Sequence, residues 1–506
     1  MLVISYKDLY NLLSMRIGRE DKMIRKGLAI LVIILFIGMI YTPSISSKVE
    51  QSSMSTLGGD TLYVGGNGPG NYTKIQDAID NANEGDTVFV YDDSSPYLER
   101  LKIETRINLI GEDKGSTIID GESSGIVIQI FADGVQISGF TIQRSGVYGG
   151  HGIRVESNDN TIYDNVFHDN PYGIMLVKSE NNTINDNVFT NERAGIVFNG
   201  NCTDNIIFGN IFIGDGLLLW NGDENRIFNN TVNGKPLIYL EDESNLLLEG
   251  DAGQIVLVDC ENITVENYIF KTVATGIQLL RSSNCLIAHN RVTEGYYSIY
   301  LNYFSNNNTI YGNMINESYL GLYGYQASNG NSISSNSFFR CERGIEFDGV
   351  TDNVIYNNYF EFCELSIGIW SSYNMNISEN IFYLADTGLN LIKSNSSTIL
   401  KNWFTDCTIG IIVTTSWGNS ICKNTFEGEL FRVKWHALLS VGLRDSNDSY
   451  FLNNFWSGNY WGRSRILPKP IFGLRLFHPF IFVIILPVVQ FDWHPAQEPY
   501  DTGGNP

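Results

Sequence analysis

Two consecutive stretches read Asn160-Thr-Ile-Tyr-Asp-Asn165-Val-Phe167 and Asn182-Thr-Ile-Asn-Asp-Asn187-Val-Phe189, one motif repeated after 22 positions. The second asparagine recurs at Asn210, Asn230, Asn267, Asn290, Asn313, Asn336, Asn358, Asn380, Asn402, Asn424 and Asn454, mostly at steps of 22 or 23. Two positions beyond each marker lies an apolar side chain, among them Phe212, Ile269, Ile315, Phe338, Phe360, Phe382, Phe404 and Trp456. A Gly-Ile strand fills the middle of most repeats, as in Gly195-Ile196, Gly276-Ile277 and Gly344-Ile345. Each repeat thus offers two or three short strands of alternating character, divided by Asn, Gly and Ser turns. None has room for a helix, which disfavours a βα solenoid. One coil cannot bury its own apolar face, whereas a stack of coils can. The spacing predicts an all-β fold, a right-handed parallel β-helix solenoid. Its asparagines would adopt left-handed backbone angles at a corner and bond their equivalents in the next coil. Stacking at about 4.8 Å per rung gives a rod on the order of 70 Å long.

Departures from the repeat mark loops and ends. The 37-residue step from Asn230 to Asn267 predicts an insertion near 232–254, with Pro236 and the acidic run Glu241–Glu243. The 30-residue step before Asn454 predicts a loop holding Phe431, Trp435 and His436. Loops carry function more often than rungs do. An open stack also exposes strand edges and needs caps. Thr73-Lys-Ile-Gln76 is a capping-box pattern, and Ile75, Ala78, Ile79 and Ala82 share a helical face, predicting a cap helix over Thr73–Asn83. Thr87–Tyr91, Ile107–Ile110 and Ile118–Ile119 are the expected first rungs. Pro468–Phe491 is apolar but interrupted by Arg475, His478, Pro479 and Pro487, so it reads as a capping tail rather than a membrane span. The expected organisation is a signal or anchor segment with linker at 1–57, the β-helix at 58–462 and the tail at 463–506.

Composition excludes some functions. The 33 Lys and Arg against 55 Asp and Glu leave a net charge of −22, which repels phosphate backbones and argues against nucleic acid as a partner. Seven cysteines, an odd number with no CxxC, suggest neither a zinc site nor a disulfide framework. Arg25 and Lys26 precede the aliphatic run Leu28–Tyr41, with small residues after it. These are the parts of an export signal, and the run falls short of the roughly 20 residues a spanning helix needs. An extracellular or cell-surface location is expected, with membrane contact only through this segment.

Tyr72-Thr-Lys-Ile-Gln-Asp-Ala-Ile79, Gly85-Asp-Thr-Val-Phe-Val90, Ile107-Asn-Leu-Ile-Gly111 and Ile118-Ile-Asp-Gly121 together resemble the opening of pectin-lyase-like β-helix proteins. The N-T-I-x-x-N coils resemble the NosD-type group, described as periplasmic copper-binding or as carbohydrate-binding and sugar-hydrolase β-helices. Asn233-Gly-Lys-Pro236, Gly250-Asp-Ala-Gly-Gln254 and Asp492-Trp-His-Pro495 resemble archaeal surface members of that group. The resemblance spans roughly 60–506. It implies the fold firmly and leaves function open, because one fold hosts many chemistries. Copper or calcium would come only by that analogy.

The residues themselves offer no obvious metal site. His151, His168, His289, His436, His478 and His494 share no register, and Met175 and Met314 are isolated. Cys341 and Cys363 sit five residues past consecutive markers, in a column continued by Ala385 and Cys407, which reads as a buried column of small side chains. No cofactor or metal is predicted. For sugars, the outward strand positions bring Glu346 and Asp348 together near Tyr300, Tyr303, Tyr323 and, one residue offset, Trp370. Aromatic faces beside carboxylates suit saccharides, whose C–H faces pack on rings while hydroxyls seek acceptors. No basic residue in the immediate register completes a lyase site. The leading expectation is a carbohydrate-binding or envelope-structural surface protein, with polysaccharide or glycan as partner. A polysaccharide lyase or glycoside hydrolase is the second, and a copper-handling accessory protein the third.

Overall fold

The computed structural model describes residues 59–190, 193–428, 435–441, 454–462, 467–477 and 484–500. The expected export segment and Phe431 of the predicted loop lie outside these residues. Among the described residues no helix is long and apolar enough to cross a membrane.

The motif that opens the sequence forms one rung. Thr161–Tyr163 pairs in parallel with Thr183–Asn185, Val166–His168 with Val188–Thr190, and Tyr172–Val177 with Ala194–Asn199. Repetition turns these into three parallel sheets, here sheets 1, 2 and 3 in chain order, of which sheet 1 has 8 strands and sheet 3 has 6. The chain is a right-handed parallel β-helix, as the spacing predicts. Inside it, Phe167, Phe189 and Phe212 stack at 4.8 and 4.9 Å, and Phe338, Phe360, Phe382, Phe404 and Phe426 continue the pattern onto Trp461. These spacings match the rung separation. The ladder explains the repeat's glycine, since a Cβ on Gly344 would come within 2.8 Å of the Phe360 ring.

The asparagine column is buried and fully bonded. Asn358 donates its backbone N–H and its Nδ2 to Asn380 Oδ1, both at 3.0 Å, and Nδ2 also reaches the carbonyls of Ile333 and Tyr356. Such buried amides are stable only because each polar atom has a partner. The left-handed conformation belongs to the residue before the column asparagine, as at Asp164, Asn357 and Lys401 with φ of 54°, 54° and 55°. This corrects the expected role of the marker. Two markers are also out of column. Asn267 is exposed with φ of 65°, and Tyr268 fills the slot by donating its N–H to Asn290 Oδ1. Ile269 is accordingly 62% exposed and Phe270 points inward. Asn454 belongs to a second asparagine column through Asn419, while the main column runs from Asn424 to Asn459.

Each end is closed by a carboxylate. Helix α1, Ile75–Asn81, buries Ile75, Ala78 and Ile79 against the first coil. The expected capping box does not form. Glu99 from the next coil accepts from the Ile75 and Gln76 N–H groups at 2.9 and 3.0 Å, and Gln76 instead bonds the backbone of Lys102. At the other end, Lys469–Phe477 and Ile484–Asp492 form an antiparallel pair beside Trp435–Val441. The buried Asp492 takes the next place in the asparagine column, accepting from the Asn459 N–H and Nδ2 at 2.9 and 3.0 Å and from Trp461 Nε1 at 3.1 Å.

Residues 232–254 form a joint. Thr231–Val232 turns through Asn233-Gly234, both with positive φ, into an antiparallel pairing with Lys235–Pro236. Asn-Gly is the favoured two-residue hairpin turn. Strand sense therefore inverts locally, and Lys235–Glu241 starts a second parallel stack with Gln254–Val258 and Ile269–Leu280. Its outer sheets, sheet 4 of 10 strands and the long sheet 5, run on to Phe455–Ser457 and Ile484–Asp492 respectively. Sheets 1 and 3 end before the hairpin, at Arg226–Phe228 and Leu217–Leu219.

The exposed edge of Leu217–Leu219 meets side chains of the second stack instead of another strand. Gln254 accepts from the Leu217 N–H at 2.9 Å and donates to its carbonyl at 2.7 Å. Gln278 treats Leu219 the same way, and Asn302 Nδ2 reaches the Trp220 carbonyl at 2.9 Å. Three amides on successive rungs replace the missing strand, answering the orphaned backbone groups of an edge.

Candidate functional site

The joint brings two outer faces together. Along sheet 3 the outward column reads Lys102, Gln129, Arg154, Met175, Val197 and Leu218. It turns apolar toward the joint because the second stack covers it there: Met175, Val197 and Leu218 pack with Ala274 and Tyr300, flanked by Tyr172, Trp220, Tyr297, Tyr323 and Tyr325. At the polar end a cavity of about 730 Å³ opens between Arg100, Lys102, Asp120, Glu122 and Gln129. Its Asp120 carboxylate is taken up by Gln143, Arg144 and the Glu122 N–H.

The residues singled out in the sequence lie in one tract of sheet 5. Tyr300, Tyr323, Glu346 and Gly368 form one outward column, and Tyr325, Asp348 and Trp370 form the next. Trp370 pairs directly with Asp348, so the expected offset of one residue is absent. Tyr300 is 3% exposed and floors the tract under Tyr297 and Tyr323, with centroids at 5.0 and 5.3 Å. Tyr323 and Tyr325 stack at 5.7 Å, and both remain partly open to solvent with Asp348 and Trp370. Gly368 keeps the floor low, since a Cβ there would sit 3.0 Å from Trp370 Nε1 and 3.8 Å from Glu346 Oε2. Trp370 Nε1 is buried without a hydrogen-bond partner.

A basic residue is present, contrary to expectation. Arg343, three positions before Glu346 on the same strand, forms an ion pair with it. Register from the repeat follows the column of Glu346 and misses a long side chain reaching across from the neighbouring column. Burial raises the Glu346 carboxyl above its ordinary range, opposed by Arg343. Burial also raises Asp348, opposed by Lys393. Desolvation lifts the Tyr297, Tyr300 and Tyr323 phenols, so they remain protonated donors at neutral pH.

The first stack adds residues that the repeat does not reveal. The Arg193 guanidinium carbon lies 5.9 Å from the Tyr172 ring centroid and 5.0 Å from that of Tyr296, bridging the stacks. Tyr296 stacks on Tyr319 at 4.8 Å, and Tyr172 meets Trp220 edge-on at 5.9 Å. His151 is buried beside Tyr172, its Nδ1 unpartnered, and desolvation lowers its pKa to about 4. Tyr296 on Tyr319 and His151 beside Tyr172 follow the repeat, one rung apart, whereas the Arg193 bridge depends on how the second stack folds back.

Sequence comparison now adds a family. The signature described as "Periplasmic copper-binding protein (NosD)" matches at 79–251, 216–362 and 361–465, well over half of the chain. The protein is a member of the NosD family. No curated protein matches the sequence. Solved structures similar to this NosD-family chain include the A-module of the Azotobacter vinelandii mannuronan C-5 epimerase AlgE6, at 14% identity and TM-score 0.26, covering 76% of this chain and 93% of that one. A PL6 alginate lyase in complex with a trisaccharide is similar at 12% identity and TM-score 0.27, with coverage of 75% and 87%. The DFA-IIIase of Arthrobacter chlorophenolicus A6, without its lid, is similar at 13% identity and TM-score 0.29, with coverage of 67% and 94%. Likeness at this level carries no functional conclusion.

The family description names copper, and the donors among the described residues do not fit it. His151 lies in sheet 3, His168 in sheet 2, and His289 at an exposed corner. Cys341, Cys363 and Cys407 are core residues whose thiols donate to backbone carbonyls at 3.6, 3.7 and 3.5 Å, and burial pushes the Cys407 thiol up to about 12. A copper site gathers soft or imidazole donors around one point. Among the described residues no group of three or more His, Cys, Asp or Glu could hold a metal ion.

Proposed function

We propose that this NosD-family protein is an exported β-helix that binds polysaccharide along the aromatic face of the joint. One observation carries the reading: Tyr323, Tyr325 and Trp370 line a continuous tract with Asp348 at its edge and the Arg343–Glu346 pair in its floor. Ring faces accept the C–H faces of sugars, while the Asp348 carboxylate and the phenols serve the hydroxyls. The rings sit on rigid strands, so little order is lost on binding. An elongated, open face suits a chain more than a small molecule. Export is supported by Arg25, Lys26 and the run Leu28–Tyr41, and by the periplasmic description of the family.

The test is a glycan array followed by titration calorimetry on the best binder. Tyr323→Ala and Trp370→Ala should each weaken binding about tenfold or more, the loss of ~1.4 kcal/mol or above expected for a central aromatic contact. Unchanged affinity in both variants would sink the reading.

A second reading, cleavage of the bound chain, draws on the buried Glu346 carboxyl held beside Arg343. A carboxyl with a raised pKa in a cleft is a candidate general acid. Release of reducing ends or unsaturated sugars by the full chain, and not by Glu346→Gln, would establish it.

A further inference from the structure

Two cations beside the tract, Arg193 and Lys393, form no ion pair among the described residues; Lys393 acts on Asp348, whereas Arg193 lies among tyrosines. Arg343 is neutralised by Glu346, and along sheet 3 Lys102 and Arg154 pair with Glu104 and Glu156 at 2.7 Å. Arg193 forms no ion pair among the described residues and is exposed, yet it is held in place by Tyr172 of one stack and Tyr296 of the other. Its guanidinium also bonds the Tyr172 hydroxyl, and its remaining N–H donors have the geometry that takes a carboxylate or sulfate. Arg193 and Arg343 both interact electrostatically with Tyr319, so two guanidinium groups flank the same tyrosine cluster. Of the tract's two carboxyls, Glu346 is already paired with Arg343 and Asp348 faces Lys393. In a chain of net charge −22, a site for neutral sugar alone has no evident use for an arginine held among tyrosines with no ion pair among the described residues. His151, buried beside Tyr172 with an unpartnered Nδ1, adds an uncharged polar group on the same side of the joint.

We propose that Arg193 reads charge in this groove and that the polysaccharide it recognises carries acid groups, carboxylate or sulfate, on its sugars. The proposal rests on the glycan-binding reading and narrows it to anionic polymers. A purely structural arginine, clamping the two stacks through its rings, is the competing account.

The experiment titrates the full chain with three polymers: a polyuronate, the same polymer with its carboxyl groups reduced to alcohols, and a sulfated galactan. Wild type should prefer an acidic polymer over the reduced one by about tenfold or more, the scale of a charge-assisted hydrogen bond. Binding of the polyuronate or of the sulfated galactan identifies the acid group. Arg193→Met should erase the preference, binding the parent polymer and the reduced one with like affinity. Arg193→Lys, which keeps the charge over the rings, should retain part of it and serves if the Met variant folds poorly. Two results would overturn the proposal and leave glycan binding standing. One is wild type binding the reduced polymer as tightly as its parent. The other is an Arg193 variant that melts earlier yet keeps the wild-type preference. Failure of wild type to bind any of the three polymers, together with a blank array, would end the glycan-binding reading and this proposal with it.

Discussion

His151 shows what a single side chain contributes at the joint. It is 5% exposed, and desolvation, aided by Arg154, lowers its pKa from 6.5 to about 4. A depressed histidine is neutral in the fold, so the unfolded chain takes up its proton first on acidification. Its contribution is complete above pH 6.5 and is lost as the pH falls through 4, by up to about 3 kcal/mol. Urea unfolding at pH 7 and pH 4 should show that His151→Phe loses less stability on acidification than wild type. Equal losses would remove the effect. Residues such as Phe360 and Asn358 are legible in the sequence because each must stack on its equivalent one rung away, which fixes type and spacing together. Arg193 obeys no such constraint, since its contact with Tyr296 lies in the other stack. Glu346 and Asp348 fall between these cases: the repeat places them on one face and does not reveal Arg343 reaching across to Glu346.

At the scale of elements, side chains finish what strands leave open. Glu99 caps α1, Asp492 ends the asparagine column, and Gln254, Gln278 and Asn302 close the edge of sheet 3. Gln278 makes the sharpest test, because it and Leu219 are both wholly buried. Gln278→Leu keeps the volume, strands the Leu219 N–H and leaves its carbonyl only the 3.3 Å bond from Asn302 Nδ2. It should destabilise the fold by about 2 kcal/mol or more, read as a lower urea midpoint at unchanged slope. A variant as stable as wild type would mean that the amides are not what closes this edge. The strands themselves follow from period-two patterning, whereas these closures do not. They join residues whose separation is set by the joint, such as Leu219 and Gln278, 59 positions apart. The capping-box pattern at Thr73–Gln76 misleads for a related reason, because Glu99 from the next coil reaches the helix start first.

At the scale of the molecule, the described residues form two stacks meeting at the hairpin Thr231–Pro236, and the break in the repeat is what creates the proposed site. An uninterrupted helix would present the outward faces of sheets 3 and 5 to solvent separately. Inversion at the joint sets them against each other and gathers tyrosines from both around Arg193. The sequence reveals that the repeat stumbles near 232–254, and only the pairing of Val232 with Lys235 reveals that direction changes there. The proposed function depends on that geometry, and hydrogen–deuterium exchange tests it most directly. With the tightest-binding polysaccharide at saturation, protection should rise on both sides of the joint, in Ala194–Asn199 and Leu217–Leu219 of the first stack and in Arg291–Asn302 and Leu320–Trp370 of the second. Protection confined to one stack, or to the first rungs around Lys102 and Gln129, would contradict a binding groove built by the joint.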